Sequence, residues 1–370
     1  MIVVITWRRV LMGLAGLALA GLLVSFSGLV SIAASSGHLP PVAWFLHWTM
    51  QNAVRTQSLG ISPPPGLDLD DPALVRRASG HFDTGCAPCH GSPAEEQNPV
   101  VLKMTPAPPP LSEKVPEWRP RELFWIVKHG VKYSGMPAWP APARDDEIWA
   151  MVAFLRALPE MDGGAYLRLA EGTAAEQPEV AADPSSGRSA DDTLEACARC
   201  HGLEGRGADG GGAFPNIAGQ PVAYLEATLR AFAAGDRASG IMEFAAAIHS
   251  DPALDELARR YANEHPTIGS PLWSSPELLE KGRRIAQNGV PDRFVPACEA
   301  CHGRPLAQRD PHIPSLDGQH AWYLETQLEL FKSGRRGGTA YAHVMAMVAE
   351  GLQPAHIEAV AAYYQSLEQR

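Results

Sequence analysis

The sequence predicts an all-α protein. One membrane-crossing N-terminal helix precedes three small helical modules, of which the last two form a tandem repeat. Three observations carry this reading. An apolar run from Val10 to Ala34 stands near the N-terminus. The motif Cys-x-x-Cys-His occurs three times, as Cys86-Ala-Pro-Cys89-His90, Cys197-Ala-Arg-Cys200-His201 and Cys298-Glu-Ala-Cys301-His302, and the chain has no other cysteine. Beyond the last histidine of the second and third motifs, the same residue pattern recurs at a spacing of 99 positions.

A chain of 370 residues suits two to four domains. Its formal net charge of −10 argues against nucleic acid and against a polybasic lipid-binding surface as partners. The 34 glycines and 33 prolines point to loop-rich modules.

The apolar run, as helix, would span about 37 Å, enough to cross a bilayer with some tilt. Arg8 and Arg9 precede it and no basic cluster follows, which places the N-terminus inside. Residues 1–37 are therefore expected to be an uncleaved anchor of a bacterial inner membrane, with the rest of the chain in the periplasm. A cleaved signal peptide is the alternative, with small residues at Ser31-Ile32-Ala33, but its apolar region would be long. Residues 38–70 form a juxtamembrane segment. Trp44, Phe45 and Trp48 there suit an interfacial belt, and His38 and His47, far from any cysteine pair, suit a surface.

The cysteine motif reads as the attachment of c-type haem. Two thiols one helical turn apart add to the porphyrin vinyl groups, and the adjacent histidine becomes the proximal iron ligand. Zinc would want the pairs combined, a redox dithiol a βαβ context, and three disulfides no histidine at all. None of these explains a histidine after every second cysteine. The expected cofactors are three covalently bound haem c, on Cys86, Cys89, Cys197, Cys200, Cys298 and Cys301, with His90, His201 and His302 on iron.

The first module is expected over 71–160. Asp71-Pro-Ala-Leu-Val opens a helix into Cys86, and 121–129 forms a second. Residues 145–158 form a third, with an acidic start, an apolar stripe at 148, 151, 152, 155 and 158, and a stop at Pro159. Between the last two lies Tyr133-Ser-Gly-Met136-Pro-Ala-Trp139, where Gly and Pro disfavour helix. Met136 is expected as the sixth ligand, and His/Met ligation raises the reduction potential.

This order of motif, proline loop, Gly-Met-Pro-Ala-aromatic and amphipathic helix resembles a class I cytochrome c across the whole module. Residues 161–190, rich in Ala, Glu, Pro, Ser and Gly, read as a flexible linker. Domains at 191–268 and 269–370 follow. Phe214-Pro215-Asn-Ile217-Ala-Gly219-Gln220 matches Ile313-Pro314-Ser-Leu316-Asp-Gly318-Gln319, and Tyr224-Leu225 matches Tyr323-Leu324. These residues resemble the tandem di-haem cytochromes of the c-four type. That resemblance implies distal methionines in a loop before each last helix, at Met242 and at Met345 rather than Met347. It also implies that a proline carbonyl accepts the Nδ1–H of each proximal histidine, with Pro215, Pro314 and Pro109 as candidates. The histidine-to-methionine gaps of 46, 41 and 43 residues agree with one architecture built three times. The second module departs from the family in the start of its last helix, Asp251 to Tyr261. Its stretch Gly205–Gly212 reads as a flexible loop.

Irons closed on both sides suit one-electron transfer better than chemistry on a substrate. The expected function is a membrane-tethered, periplasm-facing tri-haem electron carrier of a respiratory chain. It would run between a quinol-oxidising complex or dehydrogenase and a terminal oxidase or soluble cytochrome, with no small-molecule substrate and no catalytic residue. The alternatives are the cytochrome subunit of a periplasmic alcohol, aldehyde or sugar-acid dehydrogenase and, behind it, a haem peroxidase. The linker suggests that the first haem reaches the pair only transiently.

Overall fold

The computed structural model describes residues 6–171, 190–207, 212–265, 274–303 and 309–367. Among them the chain is helical, and its extended pairing amounts to two isolated bridges, Arg237 with Arg336 and Val290 with Val295.

Helix α1 (Trp7–Ser27) has 21 residues, a mean hydropathy of 2.1 and no buried side chain. It is about 31 Å long, close to the ~30 Å of a bilayer's hydrocarbon core. The expected helical run to Ala34 is too long. Gly28 takes a left-handed φ of 69° and ends the helix at Ser27, and Ala34–Ser36 form a separate single turn. The juxtamembrane segment is itself largely helical, as α2 (Pro40–Gln57). At its start Trp44 and Trp48 are exposed and stack at 6.2 Å, whereas at its end Val54 and the following Ser58 are fully buried against the first module.

In the first module, α3 (Pro72–His81) starts where Ala73 N–H donates to the Asp71 carboxylate and Pro72 occupies the first turn. A wide turn over Phe82–Cys86 leads into α4 (Ala87–His90). Then come α5 (Leu111–Lys114), α6 (Pro120–His129) and α7 (Asp145–Ala157). The expected stripe of α7 is buried at Ile148, Met151, Val152 and Leu155. Phe82 packs on Phe154 at 4.9 Å and on Tyr166 at 6.1 Å. Each such ring contributes roughly 1.5–3 kcal/mol by leaving water.

Tyr166 belongs to α8 (Gly163–Ala170), which corrects the reading of this stretch as flexible linker. Asp162 caps α8 by accepting from Ala165 N–H, Tyr166 and Ala170 are buried, and Tyr166 Oη donates to Asp83 at 2.7 Å. The remainder of the expected linker, 172–189, lies outside the described residues.

The second module contains α9 (Ala190–His201), α10 (Val222–Ala233), α11 (Met242–Ala247) and α12 (Asp251–Ala262). The third contains α13 (Pro276–Asn288), α14 (Glu299–His302), α15 (Ala321–Lys332), α16 (Ala342–Gly351) and α17 (Pro354–Ser366). Helix α13 crosses α17 at Gly282, where a Cβ would stand 2.0 Å from the Ala359 carbonyl oxygen. Gly205, expected in a flexible loop, is packed under Tyr261 and accepts from Ile217 N–H at 2.8 Å. Residues 208–211 of that stretch lie outside the described residues.

The two repeats meet face to face with reciprocal contacts. Gln220 holds both the carbonyl and the N–H of Ser315, each at 3.0 Å. Its counterpart Gln319 holds the carbonyl and N–H of Asn216, at 2.8 and 2.9 Å. Such mutual pairing is the mark of a two-fold, self-complementary interface.

The first module is not held at a distance from the pair. Arg199 bridges to Asp83 at 2.7 Å, Arg77 donates to the Ala213 carbonyl and lies 3.5 Å over the Trp322 ring, and Arg335 donates to the Ala143 carbonyl at 3.0 Å. Direct packing replaces the expected transient approach. Ala238 and Ile241 of the second module even join the apolar core of the first.

Candidate haem sites

Each Cys-x-x-Cys-His sits on one turn of helix, at α4, at the end of α9 and at α14. That turn puts both sulfurs and the histidine on adjoining faces. Burial raises the thiols of Cys86 and Cys197 to about 12 and those of Cys200 and Cys298 to about 11. Reactive redox cysteines need the opposite, a depressed pKa.

Two of the three motif histidines are oriented by a backbone carbonyl. His90 Nδ1 bonds the Pro109 carbonyl at 2.8 Å, and His302 Nδ1 bonds the Pro314 carbonyl at 2.9 Å. A carbonyl only accepts, so Nδ1 carries the proton and Nε2 keeps its lone pair for a metal. His201 Nδ1 is buried and turned toward Pro215 without meeting hydrogen-bond geometry. Burial lowers the pKa of all three rings, His201 to about 4, against the opposing pull of the proline carbonyls. A neutral imidazole is the form that binds metal. Beside His90 lies an open hollow of about 350 Å³ lined by Gly91, Gln97, Leu102, Leu111 and Leu158. Thiols on a helical turn beside imidazoles oriented in this way fit covalent haem.

The methionines expected on the distal side are half-buried on separate segments. Met136 lies outside helix, between α6 and α7, with its N–H on Ser134 Oγ at 3.2 Å and its carbonyl accepting from Val131. Gly130 turns the chain there with a φ of 63°, and a side chain in its place would meet Pro137 at 2.5 Å. Met242 and Met345 differ from expectation in local structure. Met242 is the first residue of α11 and Met345 lies within α16, so both stand on short helices rather than loops. Met347 points away from Met345 by its position on the helix. It is 64 % exposed and lines a surface hollow with Phe294 and Val344.

Sequence reading missed two groups of residues. One is Tyr261 and Tyr364 on the last helices of the pair, whose carbonyls accept from Gly219 and Gly318 at 2.9 and 2.8 Å. The other is Arg237 and Arg336, which cross the repeat interface. Arg237 donates to Tyr323 Oη at 2.9 Å and to Gln327 at 3.0 Å, and Arg336 donates to Tyr224 Oη at 3.2 Å. Their own spacing of 99 positions is the signal that could have found them.

Comparison with known proteins agrees with c-type cytochrome modules. Residues 192–258 and 279–368 match the family model for cytochrome c, and 73–155 match that for cytochrome c oxidase, cbb3-type, subunit III. The chain belongs to the cytochrome c family, whose domains bind haem c covalently, and it is an electron carrier rather than an enzyme. Its particular kinship is with c4-type cytochromes. It is 33 % identical to the thiosulfate dehydrogenase electron acceptor of Thiomonas intermedia (strain K12) over 180 residues, 49 % of this chain and 82 % of that one. With cytochrome c4 of Azotobacter vinelandii it shares 32 % over 181 residues, 46 % and 84 % of the two chains. The solved structure of reduced recombinant cytochrome c4 from Pseudomonas stutzeri is 29 % identical, with a TM-score of 0.42 over 49 % of this chain and all of that one.

Proposed function

We propose that this chain is a membrane-tethered, tri-haem electron carrier of a bacterial respiratory chain, with its three modules in the periplasm. The observation that supports the proposal is a helical Cys-x-x-Cys-His that occurs three times, each followed 46, 41 or 43 positions later by a methionine that is half-buried. Cys86 and Cys89, Cys197 and Cys200, and Cys298 and Cys301 would hold the three groups. His90 and Met136, His201 and Met242, and His302 and Met345 would be the axial pairs. Haem c, when bound, supplies reversible one-electron exchange. Proline carbonyls orient the imidazoles of His90 and His302, and the methionines would supply a soft thioether that favours a higher potential. Arg8 and Arg9 in the first turn of α1 support an N-terminus inside, and the length and exposure of α1 support an anchor.

The natural partners are redox proteins: a quinol-oxidising complex or dehydrogenase on one side, and a terminal oxidase or soluble cytochrome on the other. A second reading makes the chain a subunit of a periplasmic dehydrogenase, of the alcohol, aldehyde or sugar-acid kind or of another. The relatives named as thiosulfate dehydrogenase electron acceptors favour a dedicated partner of this sort. Mass measurement and redox titration of the detergent-solubilised protein test the main proposal. Three haems per chain and low-spin spectra with the weak far-red band of Met–Fe(III) are expected. High-spin ferric haem would reject it. Co-purification from native membranes separates the two readings of the partner.

A further inference from the structure

Helix α7 of the first module starts with three acids, Asp145, Asp146 and Glu147. The first two suit the positive end of the helix dipole and stay near solvent. Glu147 does something else. It is only 7 % exposed and reaches into the second module. One carboxylate oxygen accepts from Ser239 Oγ at 2.5 Å and lies 2.9 Å from Arg144 Nη1. The other accepts from Gly240 N–H at 2.7 Å and from Trp139 Nε1 at 3.3 Å. Arg144 also donates to the Ala238 carbonyl at 2.9 Å. The Trp139 indole lies so close under Gly240 that a Cβ there would stand 2.1 Å from Nε1.

The three residues held in this way, Ala238, Ser239 and Gly240, lead directly to Met242. Ser239 Oγ, the hydroxyl that donates to Glu147, also accepts from Met242 N–H at 3.0 Å. The backbone of Met242 is thus tied through one hydroxyl to a carboxylate of another module. The third module is built differently. Its methionine helix, α16, is approached by Tyr341, whose hydroxyl bonds Asp310 of the same module.

We infer that Glu147 is the positioning residue for Met242, so that the distal ligation and potential of the second haem are set from the first module. The inference rests on Met242 being that haem's ligand. Removing the carboxylate leaves Ser239 Oγ and Gly240 N–H buried without their acceptor, and a buried unpaired polar group is expelled toward water. The loop then shifts and carries the start of α11 with it.

The test uses the full-length holoprotein and its ferric spectrum and stepwise redox titration. Glu147→Ala and Met242→Ala are each expected to lose about one third of the far-red Met–Fe(III) band and to lower one of three potentials. The double variant should lose no more than either single one. Glu147→Gln, which keeps an acceptor for Gly240 N–H, should retain part of the band. A full band and unchanged potentials in Glu147→Ala, with the band reduced in Met242→Ala, would overturn the inference while leaving the ligand assignment standing. A full band in Met242→Ala removes the assignment itself, and the inference with it. Should Glu147→Ala not accumulate, Ser239→Ala carries the test. It keeps the carboxylate and deletes only the hydroxyl between it and Met242. A lowered potential for one haem is then expected, and three unchanged potentials would overturn the inference.

Discussion

Arg237 donates to Tyr323 Oη at 2.9 Å across the repeat interface, and each of the two residues has its own counterpart 99 positions away, in Arg336 and Tyr224. The counterpart bond runs back in the opposite direction at 3.2 Å. Each guanidinium also covers a ring of its own module, Phe232 at 4.5 Å and Phe331 at 4.3 Å. Arg237, 3 % exposed, is the deeper of the two. Arg237→Ala strands Tyr323 and Gln327 and is expected to cost about 1–3 kcal/mol. Arg336→Ala should cost less. Urea denaturation of the two variants measures the difference.

At the crossing of α13 and α17, backbone approaches backbone without room for a methyl group. Gly282→Ala would force its Cβ against Ala359 and against Tyr363 Cβ, at 2.0 and 2.6 Å. Overpacking of this kind costs typically ~1–3 kcal/mol. A lowered melting temperature is expected, with the first module's spectrum unchanged.

His81 ends α3 at the junction of the first two modules. Its ring lies edge-on to Trp139 at 4.9 Å and to Phe244 at 6.0 Å. Burial lowers its pKa from 6.5 to about 4. On acidification the unfolded chain therefore takes up this proton before the folded one does. Stability drawn from His81 is complete above pH 6.5 and declines as pH falls from there toward about 4. His81→Phe should flatten that part of a plot of urea midpoint against pH. An unaltered slope would show that His81 stays solvated.

Replacing Met136 by histidine exchanges a thioether for an imidazole on the proposed first haem. One potential of three should fall, by a fraction of the ~0.8 V that axial ligands span. Potentiometric titration of Met136→His reads it directly, and the other two potentials serve as internal controls.

Deleting residues 1–37 removes α1, which has no buried residue, together with the bond from Thr105 Oγ1 to the Ala34 carbonyl at 2.7 Å on the surface. The truncated chain, exported behind a cleavable signal, should leave the membrane fraction with its haem content intact.

Much of this architecture was readable because its determinants are local. A Cys-x-x-Cys-His needs one helical turn, so spacing alone identifies it. Helix α7 was readable from the period of Ile148, Met151, Val152 and Leu155. The tie from His90 to Pro109 followed from resemblance and is present at 2.8 Å. Helix α8 was not readable, because a short stretch beginning Gly163-Gly164 has little intrinsic helicity. It is held by Tyr166 reaching Asp83, 83 positions away. Glu147 looked like an ordinary acid at a helix start, since no local pattern reveals that its carboxylate faces another module.

Local spacing and hydrophobic pattern settle what this chain is made of: an apolar helix, three Cys-x-x-Cys-His motifs and a duplicated pair of modules. Covalent chemistry, helical period and bilayer thickness each act over a few turns, so they leave a direct trace in residue order. How the modules join is settled only by packing. Asp83 meeting Arg199, Glu147 meeting Ser239 and Gln220 meeting Ser315 all depend on buried or half-buried polar groups finding partners about a hundred positions away. Such a need is satisfied in space, and residue order carries no record of which partner satisfies it.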